Sequence, residues 1–404
     1  MRVLFTTHPA AGHFHPQVPL AHALAAAGHD VAFACSPAFR PVVETAGFRC
    51  FPAGLDWLEA EMEDAFPPLR AIPHGPAWDA WVLDHIFAGA AAETLGRDVL
   101  ALARDWPPDL IVRDGIEFGG CLAAEVLGIP HAIGGFSPFG PPGMYNALFA
   151  SSLAALRRTF GLPPDPDTRM PHRYLGLVST IPGFIGPWQE VAPTMHFLRP
   201  LPFDRSGDER LPDWVLHLPE RPTVYATLGT IVNRSPRIFT AILEGLRDEP
   251  INLILTVGRN QDPADFGPQP ANVHIERYVP QTLLLPYCDL VVTHGGFNTV
   301  QAALAQGLPM VVLPIAADQH LNARCAVDLG VGRAIEPDGR TPGVIREAVR
   351  VVLADPTYRT SAQRVRDEAA ALPGPGDVVG LLEQLAAERQ PIVRVDHHVP
   401  QRSL

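Results

Sequence analysis

The chain has no lysine, and its 31 basic residues are all arginine. Chemistry that needs an ε-amine is therefore excluded: no Walker-A lysine, no Schiff base and no pyridoxal phosphate anchor. Cysteine is sparse. Cys35, Cys50, Cys121, Cys288 and Cys325 are odd in number and lack CxxC spacing, so they read as reduced core residues. There is no basic run and the net charge is −12, which argues against nucleic acid as a partner. No apolar run reaches the roughly 18 residues of a membrane span, and the opening MRVLFTT is too short for a signal-peptide core. The expectation is a cytoplasmic protein without membrane insertion.

What is present is a well-punctuated globular chain of 404 residues, 47% apolar, with 34 Gly and 44 Pro. Two alternating strand–helix series run through it. The first has strand-like Val3–Thr7, helix-like Gln17–Ala27, and strand-like Val31–Cys35, Leu110–Arg113 and His131–Gly134, with helix-like Gly119–Leu127 before the last. Residues 52–106 read as an inserted helical excursion, and 137–193 as irregular, proline-rich and aromatic. The second series has strand-like Thr223–Leu228, Asn252–Val257, Val273–Tyr278, Asp289–Thr293 and Met310–Pro314. Its helix-like runs are Arg237–Leu246, Asn298–Gln306, Gly343–Ala354 and Ala362–Ala371. The proline-rich stretch Arg199–Pro222 joins the two. The expected division is a domain over 1–205, a linker over 206–222, a second domain over 223–389 whose last helices pack back on the first, and a tail over 390–404. Two such series imply an α/β fold of two doubly wound parallel sheets, with ligands at the carboxyl ends of the strands.

The segment His294–Ala323 carries the strongest chemical signal. It follows a strand and opens a helix, and the amides at a helix start are unpaired and lie at the positive end of its dipole. Gly295 and Gly296 let that backbone approach a phosphate. A second strand then delivers Asp318 and Gln319, an acid–amide pair suited to sugar hydroxyls, to the same end of the sheet. The order suggests a nucleotide sugar.

Other candidates lie on equivalent loops. The first loop, His8 to Pro16, is not GxGxxG and no acidic residue ends the second strand, so a nicotinamide site is not expected there. It offers His8, His13 and His15 as general bases, and Asp114 as the partner that would orient one of them. Gly229–Thr230 is a further phosphate candidate. Tyr278, Val279 and Gln281 could stack and pair a nucleobase. Each has a plain alternative: backbone-satisfied loop histidines, a turn at Gly229, packing at Tyr278, a buried structural histidine at 294 and a helix N-cap at Asp318.

Together these residues resemble the GT-B glycosyltransferases of glycosyltransferase family 1, which include bacterial antibiotic glycosyltransferases. His294–Ala323 is similar to the donor signature H-x-G-x-N-[ST] … G-x-P … P-x-x-x-D-Q-x-x-N-A, Tyr278–Gln281 to the W-x-P-Q base-reading element, and Gly12-His13-x-x-Pro16 to the G-H-x-x-P loop. The resemblance implies a GT-B fold, two Rossmann-like domains facing each other across a cleft. It nominates His13 as the base oriented by Asp114. It implies inverting transfer of a hexose or deoxyhexose, with donor contacts from Gly229, Thr230, Tyr278, Val279, Gln281, His294, Gly296, Asn298, Thr299, Asp318 and Gln319. Where many relatives carry a ribose-binding glutamate, this chain has Ala302, which favours a dTDP- over a UDP-linked donor.

No DxD carboxylate pair is evident, so no metal is expected and the helix end would take the metal's electrostatic role. Acceptor binding would fall to aromatic residues of the first domain, Trp57, Trp78, Phe87, Phe139, Met144 and Tyr145, which suit a small apolar natural product. The expected partners are that acceptor and the nucleotide sugar, with a homodimer admitted and no nucleic acid. Two alternatives are a GT-B sugar-nucleotide epimerase and a non-catalytic helper protein of a glycosyltransferase.

Overall fold

The computed structural model describes residues 1–73, 75–135, 142–185, 191–205, 209–229, 236–258 and 261–394. Among them, thirteen strands form two sheets. The first contains β1 (Arg2–Thr6), β2 (Asp30–Cys35), β3 (Arg49–Pro52), β4 (Leu110–Arg113), β5 (His131–Gly134), β6 (Leu175–Val178) and β7 (Met195–Phe197). The second contains β8 (Thr223–Thr227), β9 (Asn252–Thr256), β10 (Val273–Glu276), β11 (Leu290–Thr293), β12 (Met310–Val312) and β13 (Gly332–Ala334). Every neighbouring pair is parallel. Helices cover both faces of a parallel sheet, so its strands are apolar on both sides. The central strands LIVR, NLILT and LVVT are buried throughout for that reason.

The strand orders are β3-β2-β1-β4-β5-β6-β7 and β10-β9-β8-β11-β12-β13. In each sheet the chain winds outward from the first strand, then returns to add the other half beside it. The switch points therefore lie between β1 and β4 and between β8 and β11, and ligand crevices open at the carboxyl ends of those pairs. Separate apolar clusters back the two sheets. One packs Val3, Phe5, Phe33 and Val112 on the first, and another packs Val224, Leu253, Val292 and Val311 on the second.

The stretch expected to be irregular, 137–193, is partly regular. It holds an 18-residue helix, Pro142–Thr159, and the strand β6, with the edge strand β7 just beyond. Phe149, Leu153 and Leu156 bury one stripe of that helix against the 62–122 region. The strands β3, β6, β7 and β13 carry little sequence signal because each has only three or four residues, and three contain Pro or Gly.

The last helix, Val379–Glu388, returns to the first domain. Val379, Leu382 and Leu385 bury against the cluster that includes Phe33 and Val43. The backbone of Arg199 donates to Pro373 O at 2.9 Å, so the outgoing and returning crossings of the chain run side by side. Beyond that helix, Ile392 and Arg394 donate backbone bonds to Tyr174 O and Pro193 O on the first domain. Among the described residues no helix is long and apolar enough to cross a membrane.

Candidate functional site: facing walls at two switch points

On the first wall, β1 ends at Thr6 and the chain turns into a one-turn helix, Ala11–Phe14, that carries His13. Gln17 donates to Thr6 O at 3.3 Å and to His13 O at 3.5 Å, which fixes the loop to the strand end. Across the switch point, Asp114 follows β4 and is 1% exposed. His13 Nδ1 lies 2.8 Å from Asp114 Oδ2, and the Ile116 amide donates to Asp114 Oδ1 at 2.9 Å. A second carboxylate meets the other nitrogen, with Glu59 Oε2 lying 3.3 Å from His13 Nε2. Burial opposes the charged imidazolium, yet Asp114 and Glu59 outweigh it and hold the His13 pKa well above the ordinary value. Burial likewise pushes the Asp114 pKa up, but His13 overrides it and keeps the carboxyl below its usual range.

The three loop histidines thus separate by environment. His8 is buried, stacked on Phe87 at 4.1 Å, and its Nε2 lies 3.2 Å from Ile116 O. Burial depresses its pKa to about 4, as it does for His15. Both are neutral packing groups, so among the three only His13 has the carboxylate partners of a base.

On the second wall, the helix Phe297–Ala305 starts directly after β11 at Gly296, which caps it without a side-chain bond. The His294 ring is wedged between Gly229 and Gly296. A Cβ on Gly229 would lie 2.6 Å from His294 Cε1, and one on Gly296 2.5 Å from Nε2. Both glycines are therefore required by close approach, and Gly229 also has φ +74. Burial depresses the His294 pKa to about 4. The ring is neutral: it can donate a hydrogen bond to a phosphate but carries no full charge.

The remaining donor candidates converge around that helix. Gln281 Nε2 donates to Thr299 Oγ1 at 3.2 Å and to the Tyr225 hydroxyl at 3.5 Å. Val279 is buried in the core, whereas Tyr278 is 45% exposed and presents its ring at the surface. Its hydroxyl donates to Asp204 O, and the Asp204 carboxylate accepts from Thr282 N at 2.9 Å. Asn298 reaches across the cleft, with its Nδ2 donating to Gly12 O at 3.0 Å. Thr230 lies outside the described residues.

Asp318 and Gln319 part company. Asp318 sits at the N-cap position of the helix Gln319–Asp328 but makes no side-chain cap bond; its carboxylate accepts from Asn322 Nδ2 at 2.8 Å. Burial raises its pKa. Gln319 Oε1 accepts from the amides of Ile315 and Ala316 at 2.7 and 3.0 Å, so its carbonyl braces the β12 loop. Only its amide nitrogen is left for a sugar. Ala317, immediately before Asp318, has φ +54, and its amide donates to Asp79 Oδ2 at 3.4 Å from the opposite wall.

Of the aromatic acceptor candidates, Trp57 and Phe87 are buried in one cluster with Met62, Ile86 and Phe118, and Trp78 packs partly buried against it. Met144 and Tyr145 lie on the Pro142–Thr159 helix with side chains outside the described part, and Phe139 lies outside the described residues altogether. Sequence reasoning did not single out Glu59, Asp79 or Asp204, and it placed Asn322 in the donor signature without giving it a role. One Asp-x-Asp triplet does occur in the first domain, Asp165–Pro166–Asp167. Its carboxylates are spent locally, on the Met170 amide at 2.7 Å and the Arg169 guanidinium at 2.6 Å. Among the described residues no group of three His, Cys, Asp or Glu could hold a metal ion.

Two doubly wound domains with a histidine–carboxylate pair on one wall and a glycine-framed helix start on the other define the GT-B class. Residues 241–385 match the family described as "Erythromycin biosynthesis protein CIII-like, C-terminal domain". The chain is 32% identical to the 4'-demethylrebeccamycin synthase of Lentzea aerocolonigenes, over 95% of this chain and 99% of that protein. It is 30% identical to the 3-alpha-mycarosylerythronolide B desosaminyl transferase of Saccharopolyspora erythraea, over 96% and 99%. The solved structure of the glycosyltransferase VinC in complex with dTDP superposes with a TM-score of 0.79 at 27% identity, covering 96% of this chain and all of that one. The chain belongs to the antibiotic and natural-product glycosyltransferases of GT-B fold, and it is a glycosyltransferase.

Proposed function

We propose that this enzyme moves a hexose or deoxyhexose from a dTDP-linked donor, with inversion, to a hydroxyl of a small apolar natural product such as a polyketide or aromatic compound. The observation that carries this reading is the His13–Asp114 pair, held at one switch point and facing the helix start at the other. The acceptor hydroxyl gives its proton to His13 Nε2 while its oxygen attacks the anomeric carbon. The bond from that carbon to the diphosphate breaks on the opposite side. Asp114 keeps the Nδ1 proton in place and balances the imidazolium that forms, as in other His–Asp pairs. Charge developing on the diphosphate falls to the first amides of the Phe297–Ala305 helix and to the neutral His294 ring. No metal is assigned a part.

Three observations support the donor assignment. Tyr278 presents an exposed ring beside Gln281, suited to stacking and reading a base. Ala302 is buried and apolar, with no group to bind a ribose hydroxyl, which favours 2′-deoxyribose. Solved relatives that are 27% and 28% identical are described in complex with dTDP or thymidine diphosphate. Retention of the base pair favours an enzyme over a helper protein.

The test is incubation with dTDP- and UDP-hexoses and a panel of polyketide and aromatic acceptors, read by mass spectrometry. The expected result is a hexose-sized increment on an acceptor, greater with dTDP donors and lost in His13→Ala, which still binds dTDP. Conversion of the donor sugar without any acceptor would instead establish an epimerase. Transfer by His13→Ala at the wild-type rate would remove the base role.

A further inference from the structure

The Nε2 atom that should receive the acceptor proton already faces a carboxylate. Glu59 Oε2 lies 3.3 Å from His13 Nε2, and the Glu59 side chain is 10% exposed. Its backbone amide bonds to Pro9 O at 3.3 Å, so the turn Glu59–Glu61 is laid against the base loop itself. The two carboxylates are held unequally. Asp114 is fixed by the Ile116 amide as well as by His13. Glu59 Oε2 lies farther from the ring, at 3.3 Å against 2.8 Å for Asp114, and the next residues of its turn, Ala60 and Glu61, are exposed.

We propose that Glu59 is a positioning residue for the base: in the free enzyme it occupies His13 Nε2, and the acceptor hydroxyl must displace it before proton transfer can begin. This rests on His13 serving as the base. With carboxylates on both nitrogens the ring is an imidazolium, which has no lone pair to accept a proton. When Glu59 is displaced, Asp114 alone is left to oppose the burial that disfavours the charged ring, and the Nε2–H proton leaves to water. Nδ1–H stays on Asp114. The bare Nε2 then faces the acceptor oxygen. The base is thus uncovered by the acceptor, and a donor bound alone meets a site that cannot activate water.

The charged and titratable groups facing His13 come from each element around it: Asp114 after β4, Glu59 on its turn, His8 in its own loop and Asp318 across the cleft, the last itself sensing Asp79. His8 is neutral, and Asp318 belongs to the opposite wall. Glu59 is therefore the partner whose removal isolates the effect at Nε2.

The test is NMR titration of histidine-labelled free enzyme, with the His13 signal assigned by its loss in His13→Gln. In Glu59→Gln the His13 midpoint should fall by about one pH unit or more relative to wild type. The acid limb of the kcat/KM profile, which reports the free enzyme, should move the same way. Hydrolysis of donor without acceptor should rise. An unchanged midpoint in folded Glu59→Gln overturns the proposal. Should that variant not fold, Glu59→Asp decides, because its shorter carboxylate should give a smaller downward shift and an unchanged midpoint again refutes. The titration needs no acceptor, so its failure is distinct from failure of the transferase reading, which the acceptor panel tests.

Discussion

Replacing Asp114 by Asn puts the base assignment to its sharpest test, because the change is nearly isosteric at a site that is 1% exposed. The carboxylate accepts from two donors, His13 Nδ1 at 2.8 Å and the Ile116 amide at 2.9 Å, one on each oxygen. An asparagine has a single acceptor oxygen and so can satisfy one. The backbone amide is fixed, so the oxygen stays with Ile116 and the NH2 turns toward His13. Nδ1 must then accept, which moves the ring proton to Nε2, the atom that has to be bare for catalysis. Loss of the charged hydrogen bond costs about 1.5–3 kcal/mol, and the wrong tautomer removes most of a general-base effect of about 10²–10⁴ in rate.

Turnover in Asp114→Asn should therefore fall by about 10²–10⁴-fold, with dTDP affinity in calorimetry unchanged. Stability carries a second signature. The raised His13 pKa contributes stability that is complete below the ordinary histidine value near 6.5 and is lost as pH rises through the native value. The lowered Asp114 pKa contributes stability present above its ordinary value and lost as pH falls through the native one. Both dependences should flatten in the variant. Turnover within a few-fold of wild type, or a parallel loss of dTDP binding, would refute the orienting role.

Gly229→Ala should lose dTDP affinity by at least about tenfold and destabilise the protein by about 1–3 kcal/mol, because its Cβ would enter the His294 ring at a left-handed backbone; wild-type calorimetry and an unchanged melting temperature would contradict the wedge. Gln319→Leu leaves the Ile315 and Ala316 amides without their shared acceptor and should cost about 1–3 kcal/mol. KM for the nucleotide sugar should rise while the affinity for dTDP alone holds, and equal losses for both would place Gln319 at the phosphate instead.

Much of the central framework is legible in the amino-acid sequence. Leu110–Arg113 and Asp289–Thr293 read as strands because a buried parallel strand is a near-continuous apolar run, and such strands lead straight to Asp114 and His294. The paired glycines and the helix start at 297 carry their own local chemistry. Two kinds of feature leave no such mark. Edge strands of three or four residues, such as β7 and β13, are too short to display a period, and the Pro142–Thr159 helix opens on Pro-Gly and carries paired serines. Contacts between remote loops are the other kind. Nothing around Glu59 in the chain marks it as the second neighbour of His13, and Gln319 has the chemistry of a sugar ligand although the amides of its own loop claim its oxygen. Asp318 shows the converse: its N-cap position suggests a structural duty that its side chain does not perform.

The chain passes between the domains twice, once near Arg199 and again near Pro373, and a backbone bond pins the two passages together. A single tether would leave two bodies free to swivel, translate and separate. Two tethers fastened side by side behave as a door on one hinge line and leave chiefly one rotation. On the proposed reading, that one rotation is what would carry the His13 wall and the start of the Phe297–Ala305 helix past each other, so their alignment is set by the fastening, far from any reacting atom.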